Sequence, residues 1–153
     1  MPLDERNIAQ KIREEHEHMK EEMARIKGMI GAEIPAGGYA KWRMDLLWTL
    51  RDFCTDMQKH FDLEEEGGFM HDVLRVAPHR SSAVEKLEDE HEQIQEGLEA
   101  VLRDLKAVEE QDEEKIARVC SDIQAIFDLI ATHEEEESDL MMSTYMQDEG
   151  GGD

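Results

Sequence analysis

The sequence predicts an all-α protein: an antiparallel up-down-up-down four-helix bundle with a short helical turn between its second and third helices. Three observations carry that prediction. Apolar residues recur at alternating three- and four-residue steps through four long stretches, the period of a helix with one buried face. Glycine and proline punctuate those stretches, and the turns joining helix one to two and three to four are short enough to force antiparallel neighbours. Hydrophobic residues make up 39% of the chain and charged residues 37%, with only 3 prolines and few β-branched runs, which suits amphipathic helices and not a β fold.

The first helix is expected over roughly residues 5 to 31, with Asp4 at its N-cap. Its seam reads Ile8, Ile12, His16, Met19, Met23, Ile26 and Ile30. Gly28 and Gly31 loosen its end, and the stretch from Pro35 to Gly38 breaks the chain. The second helix is expected over roughly 39 to 66, with the seam Arg43, Leu46, Leu50, Phe53, Met57, His60 and Glu64, widened by Leu47, Cys54 and Phe61. Gly67 and Gly68 stop it.

The connection from Phe69 to Arg80 carries Phe69, Met70, Val73, Leu74 and Val76, too apolar for a free linker. It reads as a short helical turn packed on the end of the bundle, separated from the third helix by Pro78. That helix is expected over roughly 82 to 109, opened by a capping box of Ser82 and Glu85. Its seam is Val84, Leu87, His91, Ile94, Leu98, Val101, Leu105 and Val108. The fourth helix follows over roughly 113 to 146, with Asp112 at its N-cap and the seam Ile116, Val119, Ile123, Ile126, Ile130, His133, Glu137, Leu140 and Thr144. The organisation expected is one domain over residues 1–146 and a flexible acidic, glycine-containing tail over 147–153.

Charge and composition exclude several classes. A formal net charge of −22 repels nucleic acid and anionic membrane surfaces. Apolar runs fall short of the length a transmembrane span needs. The opening MPLDERNIAQ has no signal-peptide pattern, and Cys54 and Cys120 lie inside helices and suggest no disulfide framework. A reduced, cytoplasmic home is the expectation.

The chemistry lies on the seams. His16, His60, His91 and His133 sit one per helix, and His60 and His133 each carry a glutamate four residues later, Glu64 and Glu137. Burying an unpaired ionisable group costs several kcal/mol, so six such residues on apolar seams need a reason. In the antiparallel arrangement their heights fall roughly 9 to 20 Å from the same end of the bundle, at about 1.5 Å per residue. Residues i and i+4 share a helix face, so each His-x-x-x-Glu pair can offer an imidazole and a carboxylate to one centre. That donor mixture suits iron, manganese or zinc better than calcium or magnesium, and two glutamates from two helices fit the plan of a di-metal carboxylate bundle.

His16, the run His60-Phe-Asp-Leu-Glu64, His91 and the run His133-Glu-Glu-Glu-Glu137 resemble the hemerythrin-like family of HHE cation-binding domains, over roughly residues 5 to 146. The resemblance implies a non-haem di-iron centre of two iron ions joined by an oxo or hydroxo bridge. Glu64 and Glu137 would bridge the ions and the histidines would be terminal ligands, with manganese or zinc as substitutes for iron. The sequence departs from oxygen-carrying members. The neighbours one turn either side of His91 are Leu87 and Gln95, not a second histidine, and Ser138 stands where they have an aspartate. One ligand fewer leaves a coordination position open to water, Gln95, His71 or an exogenous molecule.

The function expected is a di-iron protein that binds and reacts with a small oxidant or gas (peroxide, dioxygen or nitric oxide), with peroxide consumption as its enzymatic form. The alternatives are an oxygen, nitric oxide or iron sensor or carrier, and a metal-free helical interaction module. A monomer or weak homo-oligomer is expected, and a sensor would work through a protein partner. His18 groups with Glu14, Glu15, Glu22 and Arg25 on the solvated face, and His71 and His79 read as surface residues of the connection. Glu65, Glu134, Glu135 and Glu136 read as solvated, with one placed to accept the free N–H of a ligand imidazole. Met19, Met23 and Met57 are expected to wall the pocket, and both cysteines to be inert core thiols.

Overall fold

The computed structural model describes the backbone of residues 5–150 and the side chains of residues 8–144. Helices α1 (Glu5–Gly31), α2 (Tyr39–Glu65), α4 (Ser81–Ala107) and α5 (Glu113–Gly150) form the bundle, and α3 (Phe69–Val76) with a 3₁₀ turn at Pro78–Arg80 joins α2 to α4. Each long helix packs on two others: α1 on α2, α2 on α4, α4 on α5 and α5 on α1. The short α3 touches all four and so closes one end, as its apolar residues predict. There is no strand among the described residues.

The turn from α1 to α2 is fixed by a Gly38 N–H donating to the Pro35 carbonyl at 2.8 Å, with Gly37 at φ 76° in the position that favours glycine. Two aromatic residues to which the sequence assigns nothing tie the same end together. Tyr39 donates its hydroxyl to the Val108 carbonyl at 2.8 Å, and the Trp42 indole N–H donates to the Met29 carbonyl at 3.0 Å. At the other end of α2, a Cβ on Gly67 would run into the Leu63 carbonyl, and Gly68 takes φ 107°, so the Gly-Gly pair is required by the tight passage into α3.

Three sequence expectations about helix ends and seams change. The capping box of Ser82 and Glu85 is absent: α4 starts at Ser81, its N-cap is Arg80, and no side chain caps it. The 3₁₀ turn runs straight into the helix, so the Ser81 N–H finds the Pro78 carbonyl instead. In α5, Phe127 is the buried residue where Ile126 was expected, and Ile126 packs half-exposed against Gly97. The α5 helix also runs on through Gly150, past the expected stop at 146. The proposed Asp4 cap lies outside the described residues. The Asp112 carbonyl accepts from the Ile116 N–H at 2.9 Å, which puts Asp112 where an N-cap belongs.

The core is split. The larger apolar cluster runs from Met19, Met57 and Ile94 to Leu105 and Val119, with Phe53 and Phe127 edge-to-face at 5.3 Å near its centre. A smaller cluster under α3 joins Ile8, Ile12, Phe69, Val73, Val84, Leu87 and Leu140. Each fully buried aliphatic or aromatic side chain stabilises the fold by about 1.5–3 kcal/mol. On α1, α4 and α5 the polar seam residues fall in sequence between the residues of one cluster and those of the other, and on α2 His60 and Glu64 flank Phe61, the last large-cluster residue of that helix, with Phe69 of the small cluster beyond.

Candidate metal centre

The layer between the two apolar clusters is made of the six residues that the seam pattern singles out. His16, His60, His91 and His133 are 5%, 2%, 3% and 1% exposed, and Glu64 and Glu137 are fully buried. They converge as two overlapping groups of four, His16, His60, Glu64, Glu137 and Glu64, His91, His133, Glu137, each with ligand atoms within 4.8 Å of one another. Both glutamates belong to both groups. Glu137 turns Oε1 toward His16 Nε2 at 3.0 Å and Oε2 toward His133 Nε2 at 3.1 Å. Glu64 Oε1 lies 3.0 Å from His60 Nε2 and 3.3 Å from His91 Nε2.

The rings are paired in the same way on each side. His16 and His60 meet edge-on with centroids 4.8 Å apart, and His91 and His133 do so at 4.7 Å. Phe61 stacks on His91 at 3.9 Å and so fixes the plane of that imidazole. All four Nε2 atoms point at the glutamates.

Three of the rings are held from behind. The Nδ1–H groups of His60, His133 and His91 donate to Glu15 at 2.7 Å, Glu90 at 2.9 Å and Glu65 at 3.3 Å. A carboxylate behind an imidazole fixes the tautomer and turns the Nε2 lone pair inward, as in many metal sites. Glu65 is the glutamate in the role expected of one residue in its group. Glu15 corrects the expectation: it leaves the solvated face to hold His60 and is one-third exposed. Glu90, which precedes His91, has no role assigned from the sequence, and Glu134 is buried at 6% exposure where solvation was expected. Glu22 is also largely covered, against the Asp56 side of α2. His71 and His79 are exposed and stand outside both groups of four.

Without a metal, the layer is held by protons. Burial works against a charged His60, yet the Glu137, Glu15 and Glu64 carboxyl groups that face its ring nitrogens outweigh it and push the ring up to about 12. The same opposition leaves His91 pushed up to about 9, by Glu137 and Glu64. Burial, then repulsion from Glu137, raises Glu64. Burial also opposes the charge on Glu137, but the close approach of Glu64, His133, His16 and His60 holds it well below the usual carboxylate range. The charged form of this pair therefore sits on Glu137 and the shared proton on Glu64.

The donor atoms fit a cation better than they fit each other. Glu64 Oε1 and Oε2, Glu137 Oε2, His91 Nε2 and His133 Nε2 are buried with no well-formed hydrogen bond. Such orphaned atoms cost about 1–3 kcal/mol each, more when charged. An ion at each group of four would satisfy them.

The family model of the hemerythrin HHE cation-binding domain matches residues 7–145. The chain belongs to the hemerythrin family of HHE cation-binding domains. The match reaches all four long helices and contains every residue of the polar layer. No curated protein and no solved structure matches this hemerythrin chain. No helix among its described residues is long and apolar enough to cross a membrane.

Proposed function

We propose that this hemerythrin-family chain is a non-haem di-iron protein that binds and turns over a small oxidant, hydrogen peroxide foremost. In this reading His16 and His60 would hold one ion and His91 and His133 the other, with Glu64 and Glu137 shared between the two. The observation that carries it is the double-facing of the two glutamates, each within reach of both histidine pairs. Imidazole with carboxylate favours iron, manganese or zinc over the oxygen-seeking alkaline earths.

Bound iron would supply a redox couple able to reduce one peroxide to water and to be restored by oxidising a second to dioxygen, so that turnover needs no outside reductant. The protein's own part is position and enclosure. Glu15, Glu65 and Glu90 keep three imidazoles turned inward. Met19 and Met57 with Phe61 form a buried apolar wall beside the layer, which keeps bulk water out and strengthens every charge interaction inside. Two imidazoles and two shared carboxylates per ion would leave room for a small exogenous ligand, since Leu87 and Gln95 flank His91 on α4 where a second histidine would otherwise sit.

The test is metal content and optical spectrum on the purified protein, followed by addition of peroxide. Two irons per chain with repeated peroxide turnover supports the reading. Reversible oxygen-dependent bands without turnover would replace the enzyme by a carrier or sensor. Replacing Glu64 or Glu137 by alanine is expected to abolish the two-metal centre, and either variant retaining two ions would refute the bridging roles.

A further inference from the structure

The centre is closed by α3 and the small cluster at one end and by the large cluster at the other, and its six residues are at most 5% exposed. Along one flank the closure is thinner. A cleft of about 610 Å³ runs between α1 and α5 and reaches His16. Lys20 and Lys27 line it from α1, and Ala24 and Ala131 give it walls with no side chain long enough to span it. His16 is also the one ring of the four with no carboxylate behind its Nδ1 among the described residues.

Glu134 lines the same cleft. Its side chain is 6% exposed, and its Oε1 is buried without a hydrogen bond. A carboxyl group offers an acceptor oxygen whether ionised or protonated. A buried acceptor with no donor is costly unless a visiting donor satisfies it.

We propose that the α1–α5 cleft is the entry path to the His16 side of the centre, and that Glu134 is the acceptor seating a small O–H donor of the hydrogen peroxide type there. The inference rests on the di-metal reading above. It adds a selectivity: peroxide has hydrogens to donate, whereas nitric oxide and dioxygen have none. Glu134 is a positioning residue for the incoming molecule, and the cleft serves all of them.

The experiment uses the full, iron-loaded chain and two kinds of variant. Glu134→Leu removes the acceptor, with Glu134→Gln keeping one acceptor oxygen and the shape. Ala24→Phe and Ala131→Phe fill the cleft from exposed positions where the fold is not at stake. Peroxide kinetics are measured beside the association rate of nitric oxide with the ferrous protein, and iron content is measured for each. Glu134→Leu is expected to raise KM for peroxide about ten-fold at little change in kcat, with Gln in between, and to leave nitric oxide association within about two-fold, as loss of one hydrogen bond implies. The phenylalanine variants are expected to slow both molecules about ten-fold.

Equal loss for peroxide and nitric oxide in Glu134→Leu would show a merely structural residue and overturn its role. Parental rates in fully loaded phenylalanine variants would overturn the path. A parent chain holding fewer than two ions would sink the di-metal reading itself, and the entry path with it, a result that metal content reports separately from the rates.

Discussion

Removing the carboxylate behind His133 should weaken metal binding more than removing either of its two counterparts. Glu90 accepts from His133 Nδ1 at 2.9 Å and is 11% exposed, Glu15 accepts from His60 at 2.7 Å and is 33% exposed, and Glu65 accepts from His91 at 3.3 Å and is 40% exposed. Loss of such a partner typically costs 10–100-fold in metal affinity, about 1.4–2.7 kcal/mol. Water replaces an exposed partner readily and a buried one poorly, so the bond at Glu90 belongs at the top of that range. Glu15 has the shortest bond but is better solvated and falls near the middle, and Glu65, longer and more exposed, falls at or below ten-fold. The variants are Glu90→Leu, Glu15→Leu and Glu65→Leu, each paired with its glutamine counterpart, which keeps a neutral acceptor. Affinity is read by anaerobic competition with a chromophoric chelator, and circular dichroism of the metal-free chain checks the fold. A largest loss at Glu65, or three equal losses, would refute the claim that these carboxylates act by orienting imidazoles in proportion to burial and bond length.

Further outcomes follow from the same geometry. Loading the centre at pH 7 should release protons, because His60 at about 12 and His91 at about 9 are charged in the metal-free chain and must give up a proton to bind an ion; an indicator dye would read it, and loading without release would contradict the proton-held layer. Both rings are raised from an ordinary value near 6.5, so their stabilisation of the metal-free fold is complete below about pH 6.5 and fades as pH rises through 9. The urea midpoint of that form should therefore fall between pH 6.5 and 9, and a rising midpoint would be the wrong sign. Phe61→Ala, which removes a fully buried ring stacked on His91, should cost about 3–5 kcal/mol in denaturant unfolding; a cost under 1 kcal/mol would mean that the layer does not depend on that packing. Gly67→Ala meets the Leu63 carbonyl and should lower the melting temperature by several degrees, about 1–3 kcal/mol, in differential scanning calorimetry.

The fold and the six inward residues were legible because burial leaves a period in the sequence and polarity violates it. His16, His60, Glu64, His91, His133 and Glu137 stand out on seams of isoleucine, leucine and methionine, and the structure brings all six into one layer. The carboxylates behind the rings were not legible in that way. Glu15, Glu65 and Glu90 are flank residues among 39 acidic ones, and only the rotation of each helix against its neighbour tells which of them meets an imidazole. One signal for Glu90 was available: it lies beside His91, on the flank that can turn toward the next helix of the ring. The start of α4 was misread for a local reason. Ser82 and Glu85 have the right spacing for a capping box, but the 3₁₀ turn supplies the carbonyls first. Phe127 was missed because the fourth seam was followed in strict heptad-like steps, whereas a helix of 3.6 residues per turn drifts over so long a run.

Electrostatics explains why so polar a layer persists between two apolar clusters. A buried charge is tolerated only when it is paired and hydrogen-bonded. In the proposed di-metal reading two divalent ions would bring four positive charges; Glu64 and Glu137 would offset two directly, and Glu15, Glu65 and Glu90 sit one imidazole further out with three more. The loaded layer would then be close to neutral overall, with the orphaned oxygens and ring nitrogens satisfied. The metal-free layer reaches a similar balance with protons, on His60, His91 and Glu64. Metal and protons compete for one set of atoms while the apolar clusters on either side hold the helices in register. That predicts a bundle that stays folded when stripped by acid or chelator and accepts ions again at neutral pH. Helicity that collapses on chelation would show instead that the ions, and not the two clusters, hold the four helices together.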